Sequence, residues 1–316
     1  TSMSFTESEL IEIANKALVS YLLDVNEVSL INNEYNATFK VVTKDGQRFA
    51  LRININSPRS IANLKAEIAW VNFLVADSRV NVPHPIPSVD GQYFVTFNYR
   101  SNESEFKCVL YSWLDGEELG DDPTFEQLRL LGAAMAALHL SSRDFQLPAD
   151  AQLPIFKDPL WETEDHLLST KSVLEPDAKA LVAQAITVIK SEIDALYDQH
   201  SMQIIHADLH GWNVKWHNNK VAVFDFDDCG FGLPVQDLAT AIYYLDTPEQ
   251  DAALKEGYAS IADLPDYTEN QMQMFLIQRR IILLNYLYET SNEEHRAMIP
   301  DYLEESLRRI KKFLQL

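Results

Sequence analysis

The chain has 316 residues, 47% of them hydrophobic, which allows one or two domains with a sizeable core. Its 47 Asp and Glu against 26 Lys and Arg leave a formal charge of −21, which argues against nucleic acid or an anionic membrane surface as a partner, since both demand clustered cations. Cys108 and Cys229 make no disulfide framework, no apolar run approaches the roughly eighteen residues of a membrane-spanning helix, and no basic region precedes an apolar stretch at the N-terminus, so a cytoplasmic protein without a leader is expected.

Thr6 and Glu9 have the spacing of a capping box, followed by Leu10, Ile13, Ala14, Ala17, Leu18 and Tyr21 at helical intervals. Strand-like runs come next at Val28 to Ile31, Ala37 to Thr43 and Gln47 to Ile55, with Asp45-Gly46 as the turn between the last two. In the third run Phe49, Leu51, Ile53 and Ile55 share one face, and Ala50, Arg52 and Asn54 the other. Ile61, Leu64, Ile68 and Phe73-Leu74 mark a second helix, after which Pro83, Pro85 and Pro87 make a rigid loop. Two further strands are predicted at Tyr93 to Phe97 and Phe106 to Trp113, so residues 1–113 read as a small lobe of five strands with a helix.

From residue 114 to 316 helical periodicity dominates, at Phe125 to His139, Asp177 to His200, Pro234 to Leu245, Asn270 to Thr290 and Glu293 to Phe313. Pro148 to Pro159 is the least regular stretch. A short strand pair interrupts the helices: Val214-Lys215-Trp216 and Lys220 to Phe224, joined by His217-Asn218-Asn219, where Asn tolerates a left-handed backbone.

That pair carries the most informative motif. His206-Ala207-Asp208-Leu209-His210-Gly211-Trp212-Asn213 is followed by Val223-Phe224-Asp225-Phe226-Asp227-Asp228. In phosphoryl transfer by kinases, one Asp on a loop receives the acceptor hydroxyl's proton, while a downstream Asn and an Asp on the next strand hold magnesium on the phosphates. Asp208, Asn213 and Asp225 have that order. Upstream, Phe49-Ala50-Leu51-Arg52 places a cation on a strand beside a small residue that leaves room for a base. Glu67 follows on the second helix, and an Arg52–Glu67 pair is expected.

These motifs resemble the aminoglycoside phosphotransferase and choline kinase superfamily. Within it they are most similar to type II homoserine kinases and bacterial stress-response kinases, which similarly carry an Asp-hydrophobic-Asp-Asp string and then a Gln-Asp-Leu, here Gln236-Asp237-Leu238. The resemblance runs from about Ser29 to Tyr288 and is sharp at 206–238. It implies an α+β, protein-kinase-like bilobal fold: a small antiparallel-sheet lobe at 1–113 that binds nucleotide, and a mostly helical lobe at 114–316 with the catalytic loop and acceptor site.

The site expected from motif and resemblance together has Asp208 as the base, Asn213 and Asp225 as magnesium ligands, and Arg52 and Glu67 gripping ATP or GTP. Arg stands where protein kinases have Lys, and its forked guanidinium contacts phosphate differently from a compact ammonium. The segment Asn32 to Ala37 lies where a glycine-rich loop would be but has no glycine, so Asn36 and backbone amides are the expected phosphate contacts. Ser112, Trp113 and Leu114 are placed at the adenine-binding connector between lobes.

Asp227 is either a second ligand or a brace for the loop, and Asp228 is a candidate for a substrate ammonium. His206 is read as a buried brace, and Asp237 as an acceptor of backbone N–H groups from the catalytic loop. The expected function is phosphate transfer to a hydroxyl of a small molecule, an amino alcohol or aminoglycoside-like compound being one class that suits the acidic chain. A protein serine/threonine kinase and a catalytically weak pseudokinase are the alternatives. A dehalogenase-type phosphatase, suggested by Val221 to Asp227 alone, is rejected because the motif comes too late in the chain for a doubly wound sheet to follow it.

Overall fold

The structure, a computed structural model, describes residues 4–100 and 105–316. In chain order its elements are α1 (Glu7–Leu18), β1 (Val25–Asn33), β2 (Asn36–Thr43), β3 (Arg48–Asn54), α2 (Ile61–Asp77), β4 (Pro85–Ile86), β5 (Val95–Asn98), β6 (Glu105–Ser112), β7 (Glu117–Glu118), α3 (Phe125–Arg143), α4 (Pro176–Gln199), β8 (Gln203–Ile205), β9 (Val214–His217), β10 (Lys220–Val223), β11 (Gly230–Gly232), α5 (Pro234–Tyr243), α6 (Pro248–Ala259), α7 (Glu269–Glu289), α8 (Glu293–Arg296) and α9 (Ile299–Phe313). They fall into two units. One comprises residues 1–117, 145–152 and 215–227, the other 118–144, 153–214 and 228–316.

The first unit is built on an antiparallel sheet in the order β1-β2-β3-β6-β4, with β5 also paired to β6. The expected α1 capping box forms: Glu9 N–H donates to Thr6 Oγ1, and Thr6 N–H to Glu9 Oε1, both at 3.1 Å. Leu10, Ile13, Ala14, Ala17 and Leu18 of α1 then pack on Phe39 and Val41 of β2, Leu51 and Ile53 of β3, and Cys108 and Leu110 of β6. Period-two alternation decides which residues face away from this core. In β3 those are Ala50 and Arg52. In β2 they are Asn36, Thr38 and Lys40, with Thr38 paired to Arg52 and Lys40 to Ala50. In β6 they are Val109 and Tyr111, paired to the same two residues of β3. Polar, chemistry-bearing side chains thus gather on one side of the sheet. The β9–β10 hairpin turns through Asn218 and Asn219, both left-handed at φ 51° and 60°, as the two asparagines predicted.

In the second unit α3 and α6 cross at glycine. A Cβ on Gly257 would overlap the Arg129 carbonyl, and one on Gly132 the Leu254 carbonyl. Because both obstacles are helical backbone, Gly257→Ala should cost about 2–3 kcal/mol by overpacking. Differential scanning calorimetry should then show the midpoint lower by about 5–10 °C. Helix α6 is not expected from the sequence, although Thr247 and Gln250 form a capping box at its start. The run expected as one helix at Glu293 to Phe313 is two: α8 ends at Arg296, and α9 begins afresh with Pro300 in its first turn, where a missing N–H costs nothing. Among the described residues no helix is long and apolar enough to cross a membrane.

Candidate active site

In the first unit the sheet's polar face carries a buried cation. Arg52 Nη2 donates to both oxygens of Glu67, at 3.0 and 2.8 Å. Tyr111 Oη donates to Glu67 Oε2 at 2.6 Å. The expected pair therefore forms, and Tyr111 completes it. Burial works against the charge on Arg52, but Glu67, Tyr111 and Asp227 outweigh it and hold its pKa well above the ordinary value. Arg52 Nε is buried without a hydrogen-bond partner. Glu67→Gln would leave the guanidinium with a neutral partner, and removing one side of a buried pair costs about 3–5 kcal/mol. Urea denaturation of Glu67→Gln should therefore show a loss of that order, and Tyr111→Phe a smaller one.

Asn36 Nδ2 donates to Asp227 Oδ2 at 2.7 Å, and Asn36 Oδ1 is buried and unpartnered. Burial acts to raise the Asp227 pKa. A hydrogen bond from Asp225, the charges of Arg52 and Arg59, and the Asn36 amide together hold it below the usual carboxylate range. Asp225 itself has a left-handed backbone, φ 62°, which an Asp tolerates better than most residues. Ser112 is occupied structurally, its Oγ accepting from His84 N–H at 2.8 Å. Trp113 is flanked by Lys40 and Lys215, whose Nζ atoms lie 4.9 and 4.7 Å from its ring centroid. Leu114 presents its carbonyl to Lys215 Nζ at 3.2 Å.

In the second unit Asp237, fully buried, holds the loop at 206–208 by its backbone. It accepts from Ala207 N–H at 2.7 Å, from His206 N–H at 3.1 Å, and contacts His139 Nε2 at 2.8 Å. Ala207 is left-handed at φ 75°, a conformation a non-glycine residue keeps only when its surroundings force it. His206 is buried and braces the loop as expected, its Nδ1 accepting from Asp208 N–H at 3.1 Å.

Asp208 sits at the centre of a polar network. Asn213 Nδ2 donates to the Asp208 carbonyl at 2.8 Å and to its Oδ2 at 3.0 Å. Arg279 Nη2 donates to Oδ1 at 2.8 Å, and His210 Nε2 lies 3.1 Å from the same oxygen. Burial acts to raise the Asp208 pKa. The His210 hydrogen bond and the Arg279 charge overcome it, so the carboxyl is held well below its usual range. Asp208 is thus ionised at any physiological pH: a strong orienting acceptor and a weak base.

His210 stands against Asp208 rather than serving only as a brace, and Arg279, Tyr244 and His139 were not anticipated. Arg279-Arg280 within the apolar run of α7 is a readable signal, since Arg inside an apolar helix needs a partner. Asp228 is exposed, beside the buried Cys229.

The donors suit a magnesium-bound nucleotide. The Asp225 and Asp227 side chains lie close enough that either a shared proton or a hard cation is needed between their oxygens. The unpartnered Arg52 Nε suits a phosphate oxygen. Among the described residues no three His, Cys, Asp or Glu side chains cluster as a metal cage.

Residues 27–270 match the phosphotransferase enzyme family. The chain belongs to that family. This phosphotransferase is 25% identical to amicoumacin kinase of Bacillus subtilis (strain 168) over 311 residues, 92% of this chain and 90% of that one. Among solved structures its fold is similar to a microcompartment-associated aminopropanol kinase, with TM-score 0.80, 24% identity and coverage of 96% and 98% of the two chains. It is also similar to an amicoumacin kinase in complex with AMP-PNP, Ca2+ and Ami, with TM-score 0.79, 19% identity and coverage of 94% and 92%. The protein-kinase-like fold expected from the motifs is therefore the fold of this phosphotransferase.

Proposed function

We propose that this phosphotransferase moves the γ-phosphate of ATP to a hydroxyl of a small molecule, with magnesium as cofactor. Asp208 carries the reading. It is ionised, its orientation is fixed by Asn213, Arg279 and His210, and its loop is anchored by Asp237. In this reading the acceptor hydroxyl donates to an Asp208 oxygen, which aims the hydroxyl oxygen at the γ-phosphorus. The new O–P bond forms as the bond to the β-phosphate oxygen breaks, ADP leaves with that electron pair, and the proton passes to Asp208 late in a loose transition state.

Asn213 and Asp225 would hold the magnesium, which when bound neutralises charge on the phosphates. Asn213 commits Nδ2 to Asp208, which leaves Oδ1 as the oxygen for a cation. Arg52, kept in place by Glu67, would bind phosphate oxygens, with Asn36 beside it. Ala50 and the Ser112-Trp113-Leu114 connector would receive the base.

Relatives named for amicoumacin and aminopropanol favour a small acceptor, amine-bearing in the second name, over a protein. The presence of Asp208, Asn213 and Asp225 together speaks against a pseudokinase. The test is incubation with ATP and magnesium against a panel of amino alcohols, aminoglycosides and hydroxy acids, with a generic protein acceptor as control. Phosphorus NMR should show a new phosphate monoester on a small molecule. Label entering only the protein acceptor, or ATP left intact by every compound, would defeat the reading.

A further inference from the structure

Next to Asp208 lies a cluster of buried donors for which the protein supplies no acceptor. Arg279 has five N–H bonds. Nη2 serves Asp208 Oδ1 at 2.8 Å and Tyr244 Oη at 3.0 Å, but Nε is buried with no partner. Trp161, whose ring centroid is 5.8 Å from the Arg279 guanidinium carbon, has a buried indole N–H that is likewise unpartnered.

The position of Trp161 is constrained. Trp161 and Glu162 are consecutive left-handed residues, φ 55° and 61°, and the Trp161 ring packs on Phe156 with centroids 4.5 Å apart. Backbone strain of this kind costs about 1–3 kcal/mol per residue and is kept where a side chain must be aimed. Two buried N–H groups left unsatisfied add a comparable cost. Tyr244 closes the other side, its ring centroid 5.7 Å from the guanidinium carbon.

We propose that Arg279 and Trp161 form an acceptor-side subsite that selects hydroxyl compounds bearing a carboxylate. The inference rests on the phosphotransfer reading above and narrows it. An ammonium group has only donors and can satisfy neither N–H, whereas a carboxylate has only acceptors, with two oxygens to offer two donors. Arg279 bridges Asp208 and the subsite, so a carboxylate held there stands within one small-molecule length of the base. An amine elsewhere on the same substrate is compatible with the acidic chain. What Arg279 disfavours is an amino alcohol with no anionic group.

The experiment uses the full chain saturated with magnesium and AMP-PNP, titrated calorimetrically with two matched pairs: serine against ethanolamine, and 3-hydroxypropanoate against propane-1,3-diol. In each pair the carboxylate compound should bind at least about tenfold tighter, the usual advantage of a charge-assisted hydrogen-bond pair. Arg279→Gln should shrink the preference to about threefold or less, and Arg279→Lys should restore part of it. Trp161→Phe keeps the ring and removes only the N–H. It should weaken the carboxylate compounds while leaving ethanolamine and the diol unchanged, and it decides the matter if the Arg279 variants fail to fold. Equal binding within pairs, preference for the carboxylate-free member, no binding of any of the four compounds, or an undiminished preference in folded variants would overturn the subsite. Failure of the wild type to bind AMP-PNP with magnesium would instead overturn the functional reading beneath it.

Discussion

Asp208→Asn should lower kcat about a thousandfold while leaving the KM for nucleotide within about threefold, the range expected when a positioned general base is lost. The substitution is chosen for its shape. Asn retains an oxygen that can accept from Arg279 and His210, while its amide NH2 replaces the oxygen that accepts from Asn213 Nδ2, so that one bond is lost. Asp208→Ala would lose as much activity but would also strand Arg279, a guanidinium whose charge burial opposes and whose partners Tyr244 and Asp208 sustain it. Stranding a buried charge costs about 3–5 kcal/mol, so the Ala variant should melt well below the Asn variant. Steady-state kinetics beside calorimetry separates the two effects. Asp208→Asn with near-wild-type turnover would remove Asp208 from its role.

Asp237→Ala should be the most destabilising single change in the second unit. The Asp237 carboxylate satisfies two backbone N–H groups and contacts His139, with all three partners buried. Its loss leaves those donors dry and releases Ala207 from its left-handed backbone. Unsatisfied buried donors cost about 1–3 kcal/mol each, and more for bonds to a charged group, so a loss of about 4–6 kcal/mol is expected. Calorimetry should show the midpoint about 10–20 °C lower. Asp237→Asn keeps one acceptor oxygen and should recover part of that. Because Asp237 supports the loop carrying Asp208, activity should fall in parallel with protection of the Ala207 amide from hydrogen exchange. Wild-type protection at Ala207 in Asp237→Ala would show that the loop holds itself.

Contacts close in sequence, or bridged by one turn of regular structure, were readable in advance. Arg52 and Glu67 are fifteen residues apart, one on a strand and one on the next helix, and the strand's alternation already chose the face. Asn218 and Asn219 announced their own turn. Asp208 and Asn213 are five apart, so their contact needs only one tight loop.

The contacts that escaped prediction span long separations. His139 reaches Asp237 across 98 residues and Arg279 reaches Asp208 across 71. No local pattern tells which of two adjacent arginines faces Asp208. Arg280 turns instead to Ser306 Oγ at 2.8 Å and stacks over Tyr302. Helix α6 was hidden for a different reason. Gly257, a poor helix former alone, is there to let α3 approach, a demand visible only once the partner is in place. The break between α8 and α9 is the reverse case, where helical periodicity continued across a stop that Pro300 had marked.

The proposed roles of Asn213 and Asp225 are to hold one magnesium ion on a bound nucleotide. Calorimetric titration of AMP-PNP with and without magnesium, in the wild type, Asn213→Ala and Asp225→Asn, tests this most directly. Magnesium should tighten wild-type binding by about tenfold or more, and either substitution should remove most of that gain while nucleotide binding without metal stays as it was. An unchanged magnesium effect in both folded variants would show that neither side chain holds the ion.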